Sequence, residues 1–247
     1  MISVTILTKN SAETLEPTLE SLRPFPEVLL FDTGSSDRTF EIGKRYPNVK
    51  IVQGSFEGFG PTHNLAAELA KHDWILSIDS DEVLSPELAE EILKAPLDKN
   101  SVYLLDRCNY FHGKRMTCCS GWHPDPIIRL YHRGTTAFSN DAVHEKVVAR
   151  DLTIVPLQGK LLHTPYRSID DFLAKMQHYS TLFAEQNQGK RSASLWSAIG
   201  HGFAAFVKSY FFKRGILGGK EGFIISLYNA HTAYYKYLKL AFKNKSL

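Results

Sequence analysis

Residues 74–82 read Trp74-Ile75-Leu76-Ser77-Ile78-Asp79-Ser80-Asp81-Glu82, an apolar run that ends in three carboxylates, and the helix-start signal Ser85-Pro86-Glu87 follows at once. A strand that passes into a helix through an acidic turn belongs to an α/β sheet. On such a sheet ligands bind beyond the carboxyl ends of the strands. Two acids one residue apart, Asp79 and Asp81, can share a cation there. Taken alone, Asp-x-Asp is a common triplet that reads more simply as a solvated turn with an N-cap at Ser85. The flanking sequence decides its weight.

Upstream, Ser3 to Leu7 is a short β-rich run, and Asn10 with Glu13 forms an N-x-x-E capping signal for a helix running toward Leu22. Glu27 to Asp32 repeats the pattern, with the polar turn Thr33-Gly34-Ser35-Ser36 and a helical stretch from Asp37 to about Tyr46. A third strand, Val49 to Val52, leads through a glycine-rich segment into a helix over Thr62 to Lys71. Four strands alternating with helices predict a mostly parallel, Rossmann-like α/β sheet with right-handed crossovers. The loops after the strands then converge, making Thr8, Asp32 and Asp79 neighbours. Thr8 and Asp32 form an acceptor-rich rim suited to a base or ribose. Asp79 with Asp81 suits a divalent ion on a diphosphate, and oxygen ligands favour Mg2+ or Mn2+. Neither G-x-G-x-x-G nor a P-loop follows the first strand.

At 247 residues, 43% hydrophobic and 22% charged, the chain has an ordinary globular composition. Cys108, Cys118 and Cys119 form an odd set without C-x-x-C spacing, which predicts reduced structural thiols rather than disulfides or a structural zinc. The first residues read as a strand rather than a signal peptide, so the chain is expected to stay in the cytoplasm. Charge is segregated: residues 1–159 hold 16 Lys+Arg against 22 Asp+Glu, and residues 160–247 hold 13 against 4. A basic C-terminal third suits an anionic membrane surface or nucleic acid, and no nucleic-acid-binding module supports the second.

Beyond Glu82 the alternation fades. Val102 to Phe111 and Ile127 to Tyr131 read as strands, and the loop between them carries Trp122, His123 and Asp125. Trp122 can stack on a sugar of the acceptor or fill a core gap. The run Asp141-Ala142-Val143-His144-Glu145-Lys146 is the richest in titratable groups. Such a run offers a carboxylate that can act as a general base toward a hydroxyl group. Glu145 is the first candidate, Asp141 the second and Asp125 the third, with His144 as an orienting partner. A strand-end ion-pair cluster with Lys146 is the competing reading. His163 ends a later apolar segment and arrives on the same sheet edge.

From Ser168 the pattern turns helical, over Ile169 to Gln188, Leu195 to Phe212 and Phe223 to Phe242. The last stretch holds too many polar groups to cross a bilayer, while its tyrosines, phenylalanines and lysines suit a headgroup boundary. Its basic face is otherwise merely solvated. The expected division is an α/β domain over residues 1–165, in two halves at 1–82 and 83–165, and a basic, aromatic-rich helical extension over 166–247.

The segments VTILTKN, FDTGSSDRT, EGFGPTHNLA and SIDSDE, in this order, resemble the donor half of family 2 glycosyltransferases with the GT-A fold. The resemblance implies that residues 1–165 are a GT-A catalytic domain, with a nucleotide-sugar half at 1–82 and an acceptor half at 83–165. It also implies that Thr8 and Asp32 contact the uracil end of a UDP-sugar, Asp79 the ribose and Asp81 the metal. A histidine returning from the C-terminal side completes the metal or touches the diphosphate in several GT-A enzymes, which implicates His163. One departure is His63, where many relatives carry a basic residue before the asparagine. Tyr166-Arg167-Ser168, Lys175, Phe211-Phe212-Lys213-Arg214-Gly215 and Lys236-Tyr237-Leu238-Lys239-Leu240 resemble the C-terminal pattern of bacterial lipopolysaccharide-core β-1,4-glucosyltransferases. There Leu217-Gly218-Gly219 stands where relatives often show Leu-Asp-Gly. The implied function is an inverting, metal-dependent transfer of glucose from UDP-glucose to an inner-core heptose of a lipid-linked saccharide acceptor. The implied place is the cytoplasmic face of the inner membrane, as a peripheral protein. The competing expectation is a catalytically inactive nucleotide-sugar-binding or scaffolding protein on the same frame.

Overall fold

The computed structural model describes residues 1–140, 145–166 and 168–245. They fall into two compact units, Met1–Arg107 with Pro126–His163, and Cys108–Asp125 with Thr164–Leu247. The segment Cys108–Asp125, expected within the acceptor half, belongs instead with the helical unit.

The first unit is built on β1 (Ile2–Thr8), β2 (Glu27–Asp32), β3 (Val49–Gln53) and β4 (Trp74–Asp79), joined by α1 (Leu15–Ser21), α2 (Thr39–Gly43) and α3 (Phe59–Leu69). It continues with β5 (Glu82–Leu84), α4 (Pro86–Lys94), β6 (Ser101–Phe111, of which residues 101–107 belong to this unit), β8 (Pro126–His132) and β9 (Thr153–His163); the short β7 (Lys114–Arg115) lies in the second unit. Strand order is β3-β2-β1-β4-β8-β6-β9-β5. β1 pairs in parallel with both β2 and β4, while β8 pairs antiparallel with β4 and β6, and β5 antiparallel with β9. The chain leaves β1 for β2 and β3 on one side and returns to β4 on the other. This reversal opens a crevice at the carboxyl ends of β1 and β4.

The apolar strand runs are continuous because both faces of the sheet are covered. Val4, Ile6, Val28, Leu30, Leu76 and Ile78 pack with Leu15, Leu19 and Leu22 around α1. Their alternate neighbours Leu29, Phe31 and Ile75 pack with Ala66 and Ala67 of α3 and with Ala70, which follows it. Small residues let α3 lie close to the strands. β9 approaches α4 still more closely, since a Cβ at Gly159 would sit 2.4 Å from Leu88 Cα.

The expected capping role of Asn10 and Glu13 gives way to another arrangement. α1 begins at Leu15 behind Thr14 with no side-chain cap, and Asn10, at φ 53°, lies in the left-handed region open to asparagine. Its backbone N–H donates to Ser35 Oγ at 2.8 Å and its Oδ1 accepts from Ser36 N at 2.8 Å, so it links two loops. Ser85 does cap α4, accepting from Leu88 N at 3.2 Å.

The second unit holds α5 (Ile169–Asn187), α6 (Leu195–Val207), a π-helical turn at Lys208–Phe212, a 3-10 turn at Gly215–Gly218 and α7 (Gly219–Lys245). Ser168 caps α5, accepting from Asp171 N, and Ser194 with Ser197 closes a capping box on α6. α7 packs on both α5 and α6. The α6–α7 approach is close because Gly202 has no side chain: a Cβ there would lie 3.2 Å from Ala230 O. Phe111, Trp122 and Phe172 with Ile225 form the apolar centre, with Cys118 and Cys119 beside them. All three cysteines are free thiols and buried, as their spacing predicts, and burial pushes Cys119 up to about 12.

Candidate active site

The register of the parallel strands places Thr8 opposite Asp32 and Leu7 opposite Asp79. Thr8 Oγ1 donates to Asp32 Oδ1 at 3.3 Å. Asp32 also accepts from Gly34 N at 3.0 Å and Ser35 N at 2.9 Å, folding the loop after β2 around its carboxylate. Asp37 accepts from Ala12 N at 3.0 Å, and Ser11 Oγ lies 2.9 Å from Ser80 Oγ. Three strand-end loops, after β1, β2 and β4, are therefore stitched together by short polar side chains. This is the convergence expected of a parallel sheet, with the fastening made visible.

Beyond the end of β4, Asp81 Oδ2 lies 3.6 Å from His163 Nε2, because β5 pairs antiparallel with β9 and sets Glu82 opposite His163. β5 is too short to leave a period in the sequence, yet it delivers the histidine. A carboxylate oxygen and an imidazole nitrogen at this spacing form a donor pair that suits Mg2+ or Mn2+ when a diphosphate and water supply the remaining ligands. Among the described residues no cluster of three or more His, Cys, Asp or Glu forms a complete protein cage.

Asp79 and Glu82 are held by two arginines not singled out in the sequence. Arg129 Nη2 lies 2.6 Å from Asp79 Oδ2 and 3.6 Å from Glu82 Oε1, and Arg107 Nη1 lies 3.0 Å from Glu82 Oε1 and 3.9 Å from Asp79 Oδ2. The Asp79 backbone N–H donates to Glu82 Oε2 at 3.0 Å. The Glu82 side chain is fully buried, which fits its expected structural role, whereas that of Asp79 keeps 37% of its surface exposed. Burial works against ionisation of Asp79, but Arg129, with His63 and Arg107, outweighs it and holds the carboxyl at about 2. Burial and the neighbouring Asp79 push Glu82 the other way, upward. A charged residue inside the apolar strand Ile127-Ile128-Arg129-Leu130-Tyr131 was the available signal, since a buried guanidinium needs a carboxylate partner.

His63 is buried, stacked on Phe138 at a ring separation of 4.4 Å, with Nδ1 3.2 Å from Ser77 Oγ. Burial drops it to about 4, so it is a neutral residue and not a substitute for a basic one. Its neighbour Asn64 exchanges two hydrogen bonds with the Phe138 backbone, donating to O at 3.0 Å and accepting from N at 2.9 Å. This latch fixes the chain shortly before Glu145. The Glu145 charge adds to the field that raises the Arg129 pKa, which places it in the same electrostatic neighbourhood. Asp141 and His144 lie outside the described residues.

Trp122 and Asp125 belong to the second unit. Trp122 is buried, stacked with Tyr166 at 5.7 Å and Phe172 at 6.3 Å, with Phe111 edge-on at 5.7 Å. Its ring fills a core, the second of its two expected roles, and aromatic neighbours occupy the faces that sugar stacking needs. Asn109 Nδ2 donates to Trp122 O at 2.9 Å and to Asp125 Oδ2 at 2.8 Å, pinning both ends of this loop.

The sequence model described as Glycosyl transferase family 2 matches residues 3–132. An uncharacterized glycosyltransferase of Rickettsia bellii is 29% identical, covering 97% of this chain and 85% of its own. Lipopolysaccharide core biosynthesis glycosyltransferase LpsC of Rhizobium meliloti is 28% identical over 77% of this chain and 73% of its own. Among solved structures, S. aureus TarS 1-349 in complex with UDP has a TM-score of 0.51 at 18% identity, covering 99% of this chain and 90% of that one. The same protein in complex with UDP-GlcNAc also scores 0.51, at 17% identity over 99% and 89%. A family match over more than half of the chain, on a sheet whose strand ends gather Thr8, Asp32, Asp79, Asp81 and His163, establishes that this protein belongs to glycosyl transferase family 2 and has the GT-A fold.

Proposed function

We propose that this chain transfers glucose from UDP-glucose to an inner-core heptose of a lipid-linked lipopolysaccharide acceptor, with inversion at the anomeric carbon. The observation that carries this reading is the gathering of Asp79, Asp81 and His163 at the β1–β4 crevice, the two aspartates inside the segment that matches the family and the histidine brought to Asp81 from β9. LpsC, whose name specifies lipopolysaccharide core biosynthesis, supports the acceptor class, and the TarS complexes with UDP and UDP-GlcNAc support the donor class.

Thr8 and Asp32 form the rim for the uracil end. The Arg129 and Arg107 contacts both use Oδ2 of Asp79, so Oδ1 is the atom we assign to a ribose hydroxyl. Asp81 and His163 would hold the metal, and a divalent cation such as Mg2+ or Mn2+ neutralises charge developing on a leaving diphosphate. Glu145 takes the proton from the acceptor hydroxyl as that oxygen bonds to the anomeric carbon; the bond from that carbon to the diphosphate oxygen breaks, and UDP leaves on the opposite face. Asp141 is the second candidate for the base. The lipid-linked acceptor places the working enzyme at the cytoplasmic face of the inner membrane.

The test is UDP release and thermal stabilisation across a panel of UDP-sugars, with and without manganese. UDP-glucose is expected to give the largest manganese-dependent response. Stabilisation by a UDP-sugar without turnover on any acceptor would favour a non-catalytic binding frame, and no response to any of them would remove both readings.

A further inference from the structure

α6 carries no charged residue and divides cleanly in two by rotation. Ala198 and Gly202, four apart, are buried against α7, and Ser209 continues that side into the π-helical turn. On the other side Trp196, Ile199 and Phe203, three and four apart, are 79%, 45% and 70% exposed. The two turns that follow continue the exposure, with Phe212 at 79% and Leu217 at 76%. Large aromatic and aliphatic side chains this exposed, clustered over 22 residues, are far from the scattered singles of an ordinary surface. The same segment, residues 195–220, contains Lys208, Lys213, Arg214 and Lys220 and no Asp or Glu.

The sequence alone points to the last helix, over Phe223 to Phe242, as the membrane-contacting element. In the structure α7 is the central helix of its unit, burying Gly222, Ile225, Ser226, Ala230, Leu240 and Ala241 against its neighbours. Lys239, one of the basic residues expected at a headgroup, is drawn inward, donating to Ser180 Oγ and Thr181 Oγ1 at 2.8 Å each.

We infer that the exposed face of α6 and the two turns after it, Trp196 to Leu217, is a docking surface for an anionic lipid bilayer, with its aromatic side chains entering the headgroup boundary and its three cations, joined by Lys220 at the start of α7, pairing with lipid phosphates. The inference deepens the proposed function, resting on its lipid-linked acceptor. Charge selects this occupant. A second copy docked through a two-fold axis would set four cations against four, whereas an anionic leaflet complements them. The contact is shallow, because no helix among the described residues is long and apolar enough to cross a membrane.

Trp196 supplies its own reporter, since Trp122 is buried and Trp74 is half-buried in β4. With the full chain, Trp196 emission is expected to move to shorter wavelength and the protein to sediment with phosphatidylglycerol vesicles, and to do neither with phosphatidylcholine vesicles. Phe203→Ser and Phe212→Ser, both at exposed positions, should each weaken vesicle binding by about tenfold at an unchanged melting temperature. Lys208→Glu and Lys213→Glu should weaken it at least about fivefold per lost charge. An unmoved emission and no sedimentation with phosphatidylglycerol vesicles would overturn the inference, as would a blue shift that grows with protein concentration without vesicles, which assigns the face to a second copy. UDP release with a water-soluble acceptor, measured in parallel, separates the two claims. Release that persists without vesicle binding overturns only the docking surface, whereas vesicle binding without release supports the surface and counts against the transfer.

Discussion

Arg129 spans the two carboxylates that flank the β4–β5 turn, 2.6 Å from Asp79 and 3.6 Å from Glu82. Arg129→Met would leave the fully buried Glu82 with Arg107 as its remaining cation. Unpairing a buried charge costs up to ~5 kcal/mol, and the exposure of Asp79 together with Arg107 lowers the expected loss here to about 2–3 kcal/mol. Urea unfolding measures it. Arg129→Lys should recover part of the loss, because it restores the charge without the planar fork. A midpoint unchanged in Arg129→Met would show that the pairing contributes nothing.

His63 sets a pH dependence with a definite sign. Its folded-state pKa, about 4, lies below the ordinary 6.5, so protonation favours the unfolded chain. The stability tied to it is fully present above pH 6.5, is lost as the pH falls from 6.5 to 4, and does not change further below that. The ceiling on the loss is on the order of 3 kcal/mol. Thermal denaturation between pH 7 and 4 should show a steeper decline for the wild type than for His63→Asn; parallel declines would contradict a neutral, buried His63.

The two hydrogen bonds between Asn64 and the Phe138 backbone should be worth about 1–3 kcal/mol, because Asn64→Ala leaves a backbone donor and acceptor without partners. Catalysis should suffer in the same variant, since the latch fixes the chain seven residues before Glu145. Chemical denaturation and UDP release on one preparation check both effects. A destabilised variant with wild-type turnover would detach the latch from the site.

Asp81→Asn should abolish the manganese-dependent part of the thermal stabilisation by UDP-sugar and leave the metal-independent part. His163→Ala should weaken manganese affinity by at least about tenfold, the lower end of what even indirect partners of a metal contribute. Titration of manganese in the presence of UDP reads both. Full manganese dependence in Asp81→Asn would move the metal elsewhere.

Glu145→Gln should leave UDP-sugar affinity near that of the wild type while transfer falls by about 10²–10⁴-fold, the range for loss of a general base. Single-turnover transfer separates the two quantities. An unaltered rate would pass the role to Asp141.

The parallel strands were legible because each is buried on both faces: all six residues of β2 are buried, so the run cannot be read as a half-exposed strand. Thr8, Asp32 and Asp79 followed from the rule that strand ends converge. What stayed hidden depends on pairing between distant segments. Arg129 meets Asp79 through the antiparallel pairing of β8 with β4, and His163 meets Asp81 through a three-residue strand that leaves no period. Asn10 looked like a helix cap because the spacing to Glu13 is right; the loop after β2 competes for the same side chain and wins. α7 was read as surface-active for its composition, and Trp122 was open between sugar stacking and a core gap. Aromatic and basic residues look the same in a sequence whether they face a ligand or, like Trp122, Tyr166 and Lys239, one another's helices.

Sugar transfer itself is tested by mass spectrometry of a heptose-terminated inner-core acceptor after incubation with the protein, manganese and UDP-glucose. The expected result is an acceptor heavier by one hexose, with equimolar UDP, in the wild type, and no gain with Asp81→Asn or Glu145→Gln. An acceptor unchanged in mass with UDP-glucose and every other UDP-sugar, under conditions where the wild type binds the donor, would contradict the transfer.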